Sequence, residues 1–146
     1  MTSPMSASGI SSDAESFNWL VNRFVENTAG TIGAIAVSAD GLLIAMSARM
    51  ERASADRLAA IASATLGLAN GVSESFPLGD PDKVIIELEH GYLLVCTISI
   101  GCSLGVLASK QASLGTIAYE MAMFANRASV VLTPQLIEEL KDAVGF

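Results

Sequence analysis

The chain has a single histidine, His90, and it stands in Glu89-His90-Gly91, a sequence that reads as a solvated turn. No nucleophile-histidine pair is visible around it, which ranks an enzyme reading low. A phosphate loop is missing too: no G-x-x-x-x-G-K-[ST] occurs, and Gly67 and Gly71 fall inside a helical pattern rather than a strand-to-helix turn. Cysteine occurs twice, as Cys96 and Cys102, in apolar strand-like sequence without further ligands at metal spacing. Both read as buried free thiols, with no disulfide and no metal expected. Glu87 and Glu89 alternate along a strand and resemble a carboxylate pair, but a solvated strand face accounts for them. No cofactor is expected, and an enzyme is a poor reading.

Positive charge is scarce as well. Eight Lys and Arg are scattered among fifteen acids, a net charge of -7, which argues against nucleic acid or an anionic membrane as the main partner. A protein surface is the better expectation. The longest apolar stretch, Tyr92 to Ile100, is about half of the ~20 residues needed to cross a bilayer, so no membrane insertion is expected. Met1 to Ser12 lacks a charged start and an apolar middle, so it reads as a disordered Ser-rich tail over residues 1–12 rather than a secretory signal. A cytoplasmic location is the corresponding expectation.

What the chain does have is apolar content, 51% of its residues, ample for one α+β domain with a real core. The organising stretch is a hairpin. Thr31 to Met46 contains two apolar runs separated by Ser38-Ala39-Asp40-Gly41, in which Gly41 accepts positive φ without a Cβ penalty and Asp40 tolerates it. Ile32, Ala34 and Ala36 alternate with Ile35 and Val37, which suits a strand covered on both faces. Before it, Ser12-Asp13-Ala14-Glu15 has the form of a capping box. Phe17, Leu20, Val21, Phe24 and Val25 then make one helical stripe ending near Asn27 to Gly30. Trp19 lies on the opposite side of that helix, either under a terminal segment or against a partner.

After the polar link Arg49 to Arg52, a long helix is expected from Ala53 to Ser75, and it carries two rows. Leu58, Ile61, Thr65, Leu68, Val72 and Phe76 gather on one side and are expected to lie on the sheet. Ala60, Ala64, Gly67 and Gly71 form a second row with almost no side chain. Each Gly inside a helix costs about 1 kcal/mol relative to Ala, so two in register point to another helix packed against this row. A symmetry-related copy is the simplest candidate.

Pro77 and Pro81 break the helix into a loop. Lys83 to Glu89 alternates cleanly, Val84, Ile86 and Leu88 against Lys83, Ile85, Glu87 and Glu89, the pattern of an edge strand. A turn at His90-Gly91 leads to an apolar strand over Tyr92 to Ser99, and Gly101 turns it into Cys102 to Ala108. Leu114, Ile117, Ala118, Met121, Phe124, Ala125 and Ala128 make a further helical stripe, with Ser113 placed to cap it. Thr133-Pro134 opens an amphipathic tail helix within 131–146, able to dock on its own domain or on a partner.

This order resembles the roadblock / dynein light-chain family over about Asp13 to Ser129, and a domain spanning 13–130 is inferred from it. The resemblance is carried by Phe17 to Phe24, by the strand-turn-strand Gly33 to Ile44, by the Ala-rich helix Arg57 to Asn70, and by Glu87 to Val95 and Ser103 to Ala108. It is most similar to the bacterial branch associated with small Ras-like GTPases. The resemblance implies an α+β fold in which a five-stranded antiparallel sheet of order 2-1-5-4-3 is sandwiched between one long helix and two other helices, as in roadblock and profilin-like proteins. It also implies a homodimer in which the long helices pack together and the third strands pair. Ala60, Ala64, Gly67, Gly71, Ile85 and Glu87 are the candidate interface residues. The implied partner is a small Ras-like GTPase whose nucleotide cycle is modulated within a signalling complex. Arg49, Arg52, Arg57 and Trp19 are candidate partner-binding residues, an inserted arginine being weighed against a solvated linker. A ligand-sensing module of PAS or GAF type and a purely structural dimerisation scaffold are the alternatives.

Overall fold

The computed structural model describes residues 11–145. Most of the serine-rich stretch read as a disordered tail, residues 1–10, therefore lies outside the described residues. The first helix, α1 (Ser12–Asn27), is capped one residue earlier than the sequence suggests: Ser11, with extended backbone, accepts from Ala14 N through its side chain. Glu15 then sits one position past the place from which it could complete a capping box with Ser11.

Strands β1 (Thr31–Ser38) and β2 (Leu43–Met46) follow as the expected hairpin. Gly41 donates to the carbonyl of Ser38 at 2.9 Å with φ 85°. Asp40 stays at negative φ, so a single left-handed residue closes the three-residue loop. Asp40 instead accepts from the Ser38 hydroxyl, and that bond holds its carboxyl below the usual range.

The long helix α2 (Arg52–Ser75) crosses one face of the sheet. Strands β3 (Lys83–Leu88), β4 (Gly91–Ser99) and β5 (Cys102–Ser109) form a meander, and α3 (Leu114–Val131) and α4 (Pro134–Gly145) complete the chain. The sheet is five-stranded and antiparallel in the order β2-β1-β5-β4-β3, as the resemblance implies. Gly91 does not belong to the β3–β4 turn, as the sequence reading had it. It pairs with Leu88 at the start of β4, leaving Glu89 and His90 as the turn. Its missing Cβ matters for packing, since that atom would come within 2.7 Å of the Ala108 carbonyl on β5.

Two apolar clusters lie on opposite faces of the sheet. Phe17, Val21 and Phe24 of α1 meet Ile117, Met121 and Phe124 of α3 over Ala34, Ala36, Leu94, Leu104 and Val106. Phe124 stands edge-on to both Phe17 and Phe24, with ring centroids 6.2 and 5.8 Å away. The second cluster joins Ala55, Leu58, Ala59 and Ala62 of α2 to Ile35, Val37, Leu93 and Val95.

Of the two dockings left open for the tail helix, α4 lies on its own domain, across β2 at the edge of the sheet. Thr133 caps it by accepting from Leu136 N at 3.0 Å. Leu136, Ile137 and Leu140 join the first cluster, while Val144 reaches the second. Polar ties fix its length. Ser11 donates to Glu139 through N and Oγ at 2.7 and 3.0 Å, Lys141 pairs with Asp40 and Glu138, and Arg52 donates to the Val144 carbonyl.

Candidate functional site

The long helix does not lie on the sheet by its largest side chains. The row Leu58, Ile61, Thr65, Leu68, Val72 and Phe76 was expected there, but only Leu58 of it is buried. Ile61 is 50% exposed, Leu68 76% and Val72 50%. The sheet is instead met by Ala55, Leu58, Ala59 and Ala62. Opposite them, β5 carries Gly105, where an added Cβ would stand 3.3 Å from that of Ala62. Small residues on both sides let the helix axis settle close to a sheet whose bulk is already supplied by Ile35, Val37 and Val95. At about 100° per residue the bulky row then falls on the flank and the small-residue row on the far side. The spacing of Ala55, Ala59 and Ala62 was the available signal for this.

Ala60, Ala64 and Gly67 are exposed and Gly71 half-buried, and a Cβ added at either glycine would meet nothing within 4 Å. With Ile61, Leu68 and Val72 they form an apolar face on a helix about 36 Å long. At its end Phe76 and Leu78 are exposed as well. Beside it runs β3, which pairs only with β4 and so leaves one backbone edge unpaired within the sheet. Val84 and Ile86 pack toward α2. Ile85 and Glu87 therefore project from the other face of the sheet. The structure thus brings the four small residues together with the β3 edge, but not with the side chains of Ile85 and Glu87. Glu87 is held by Lys110, whose Nζ stands 4.7 Å from the Tyr92 ring centroid. The Glu87 bond raises the Lys110 pKa.

The remaining candidates sit apart from this face. Arg52 bonds Asp56 at 3.1 Å and the end of α4, Arg57 donates to Ser54, and Arg49 lines a different groove with Asn22 and Thr31. Trp19 is 56% exposed on α1, with the Arg23 guanidinium 4.9 Å from its ring centroid. His90 is exposed beside Glu89. Cys96 and Cys102 are buried free thiols, and burial pushes them up to about 11 and about 12, which keeps them protonated and unreactive at neutral pH. Among the described residues no group of acids, cysteines and histidine has a metal-binding arrangement, and no helix is long and apolar enough to cross a membrane. What the site offers chemically is burial of apolar surface and strand pairing.

Comparison with known proteins gives this architecture a family. An uncharacterised protein of Methanocaldococcus jannaschii is 33% identical over 103 residues, covering 70% of this chain and 86% of that protein. A crystal structure of a Roadblock/LC7 domain from Streptomyces avermitilis superposes with a TM-score of 0.74 at 32% identity, over 77% of this chain and 94% of that one. Myxococcus xanthus MglB shares the fold at 14% identity, with a TM-score of 0.73 over 80% of this chain and 94% of its own. The Roadblock/LC7 domain profile matches residues 17–108, from the start of the α1 core stripe to the end of β5, and the chain belongs to the Roadblock/LC7 family.

Proposed function

We propose that the protein is a homodimeric regulator or scaffold that binds a small Ras-like GTPase in the cytoplasm and modulates its nucleotide cycle without catalysing a reaction itself. The observation that carries the dimer is the outward face of α2, where a Cβ added at Gly67 or Gly71 would meet nothing within 4 Å and Ile61, Leu68 and Val72 are exposed. A monomer gains nothing from two glycines at these positions, whereas a second helix gains close approach. The β3 edge alongside supplies hydrogen-bonding groups for a second copy. Self-association has a precedent in the fold, since MglB forms a tetrameric arrangement. The GTPase partner is supported by the family resemblance alone.

Regulation of this kind biases the partner's own switch loops, and it requires unequal affinity for the two nucleotide states. The test is to titrate the protein, after light scattering has established its mass, into small Ras-like GTPases of its own cell, each loaded with GDP or with a GTP analogue. Tighter binding to one state, with altered hydrolysis or exchange, is expected. Equal binding with unchanged rates would reduce the role to scaffolding, and no binding to either state would remove the GTPase reading. The ligand-sensing alternative requires a copurified small molecule.

A further inference from the structure

On the face of the sheet opposite α2, the second half of α1 and the middle of α3 leave a groove of about 240 Å³. Trp19, Arg23 and Thr28 stand on one side, Glu120, Phe124 and Arg127 on the other. Arg52, Lys83, Lys110 and Lys141 have carboxylate partners, whereas Arg23, which stacks over Trp19, and Arg127 form no ion pair among the described residues, as Arg49 and Arg57 also do not; Arg23 and Arg127 are the two that share a groove. The Thr28 hydroxyl is buried, at 3% exposure for the residue, and has no hydrogen-bond partner. That hydroxyl is sealed beneath the groove wall, so the polar surface offered to a ligand is that of the two guanidinium groups and Glu120. The Trp19 ring, itself half exposed, supplies an apolar surface at the same mouth.

We propose that this groove docks an acidic peptide segment of a partner protein, with Arg23 and Arg127 taking its carboxylates and Trp19 an adjacent apolar side chain. Glu120, half-buried in the groove, accepts from a peptide N–H. Guanidinium groups suit this work because they bind carboxylates through two parallel bonds and remain charged when desolvated. The net charge of -7 does not forbid an acidic ligand, since screening beyond about 8 Å leaves the nearest charges to decide. Size favours a peptide side chain or two over a free cofactor, whose pockets begin at roughly 300 Å³. Because α1 and α3 lie across the sheet from α2, the groove stays open when two copies pair through α2, and the proposal stands whether or not the partner on that other face is a GTPase.

Trp19 is the only tryptophan in the chain, so its emission reports on this groove directly. The probe is the blocked peptide acetyl-Asp-Leu-Glu-Asp-Leu-Glu-amide, with a counterpart carrying Lys at every acidic position. The full chain is expected to give a saturable emission change with the acidic peptide and none with the basic one. Binding should weaken roughly tenfold or more in Arg23→Gln/Arg127→Gln, both exposed positions whose replacement leaves the core intact. The proposal is overturned if no change occurs up to millimolar peptide, if the basic peptide binds equally, or if the double arginine variant binds as tightly as the parent. It is also overturned if Trp19 is shielded from acrylamide before peptide is added. Shielding independent of protein concentration would mean that the chain's own segment fills the groove, and concentration-dependent shielding that a second copy does.

Discussion

The two faces of the sheet are covered by different means. On one, α1 and α3 bring Phe17, Phe24, Met121 and Phe124 together, with α4 adding Leu136 and Leu140, and all of these side chains end inside the molecule. On the other, α2 offers Ala55, Ala59 and Ala62 to the sheet and keeps Ile61, Leu68 and Val72 outside. The first face is closed by bulk within one chain. The second is closed by proximity, which leaves its bulk available to something else. Apolar content alone therefore says little about where a core ends; the distribution of large and small residues around one helix decides whether the surplus is interior or interface.

The strongest way to break this contrast is to remove bulk from the closed face. Phe124→Ala deletes the ring that stands against both Phe17 and Phe24, and a cavity of that kind costs about 3 to 5 kcal/mol. Urea denaturation is expected to show that loss. A similar loss from Leu68→Ala in a monomeric state would erase the distinction between the faces. Gly67→Leu tests the open face instead. A Cβ there meets nothing and Leu is the better helix former, so the monomer should keep its stability, while overpacking against a second copy costs about 1 to 3 kcal/mol per subunit. Sedimentation should show the dimer dissociating at micromolar concentration, and an unchanged dimer would place the self-association elsewhere.

A smaller effect concerns the strap that closes the β2 edge. Ser11→Ala removes the α1 cap and one of the two bonds to Glu139, for an expected loss of about 1 to 2 kcal/mol in thermal unfolding. No loss would mean that α4 is held by Leu136, Ile137 and Leu140 alone. The last effect is confined to alkaline pH. Unfolded Cys96 and Cys102 ionise from about pH 9, while burial keeps the folded thiols protonated up to about 11 and about 12. Above pH 9 the unfolded state binds fewer protons, so stability falls with rising pH by at most about 1.4 kcal/mol per unit per thiol. Comparing Cys96→Ala/Cys102→Ala with the parent between pH 8 and 10.5 isolates this slope, which the variant should lack.

Much of the closed face could be read directly. The stripes Phe17-Val21-Phe24 and Ile117-Met121-Phe124 have one apolar side each, and a helix with one apolar side has one way to bury it. The β3 edge was legible in the alternation of Val84 and Ile86 with Lys83 and Glu87 for the same reason. The capping residue of α1 was displaced by one position because Ser11 and Ser12 are equally good caps locally, and the bond from Ser11 to Glu139 connects residues far apart in sequence. Arg23 and Arg127 escaped notice because they come from separate helices and have no meaning until α1 and α3 are side by side.

The sequence by itself determined the elements, their order and the two rows on the long helix, since periodicity, turn residues and helix breakers are local properties of the chain. Tertiary structure decided that neither row as a whole meets the sheet, which takes Ala55, Leu58, Ala59 and Ala62 of α2 instead. That choice depends on Gly105, forty-three residues beyond Ala62, because how near a helix comes to a sheet is fixed by the pair of surfaces in contact and not by either one.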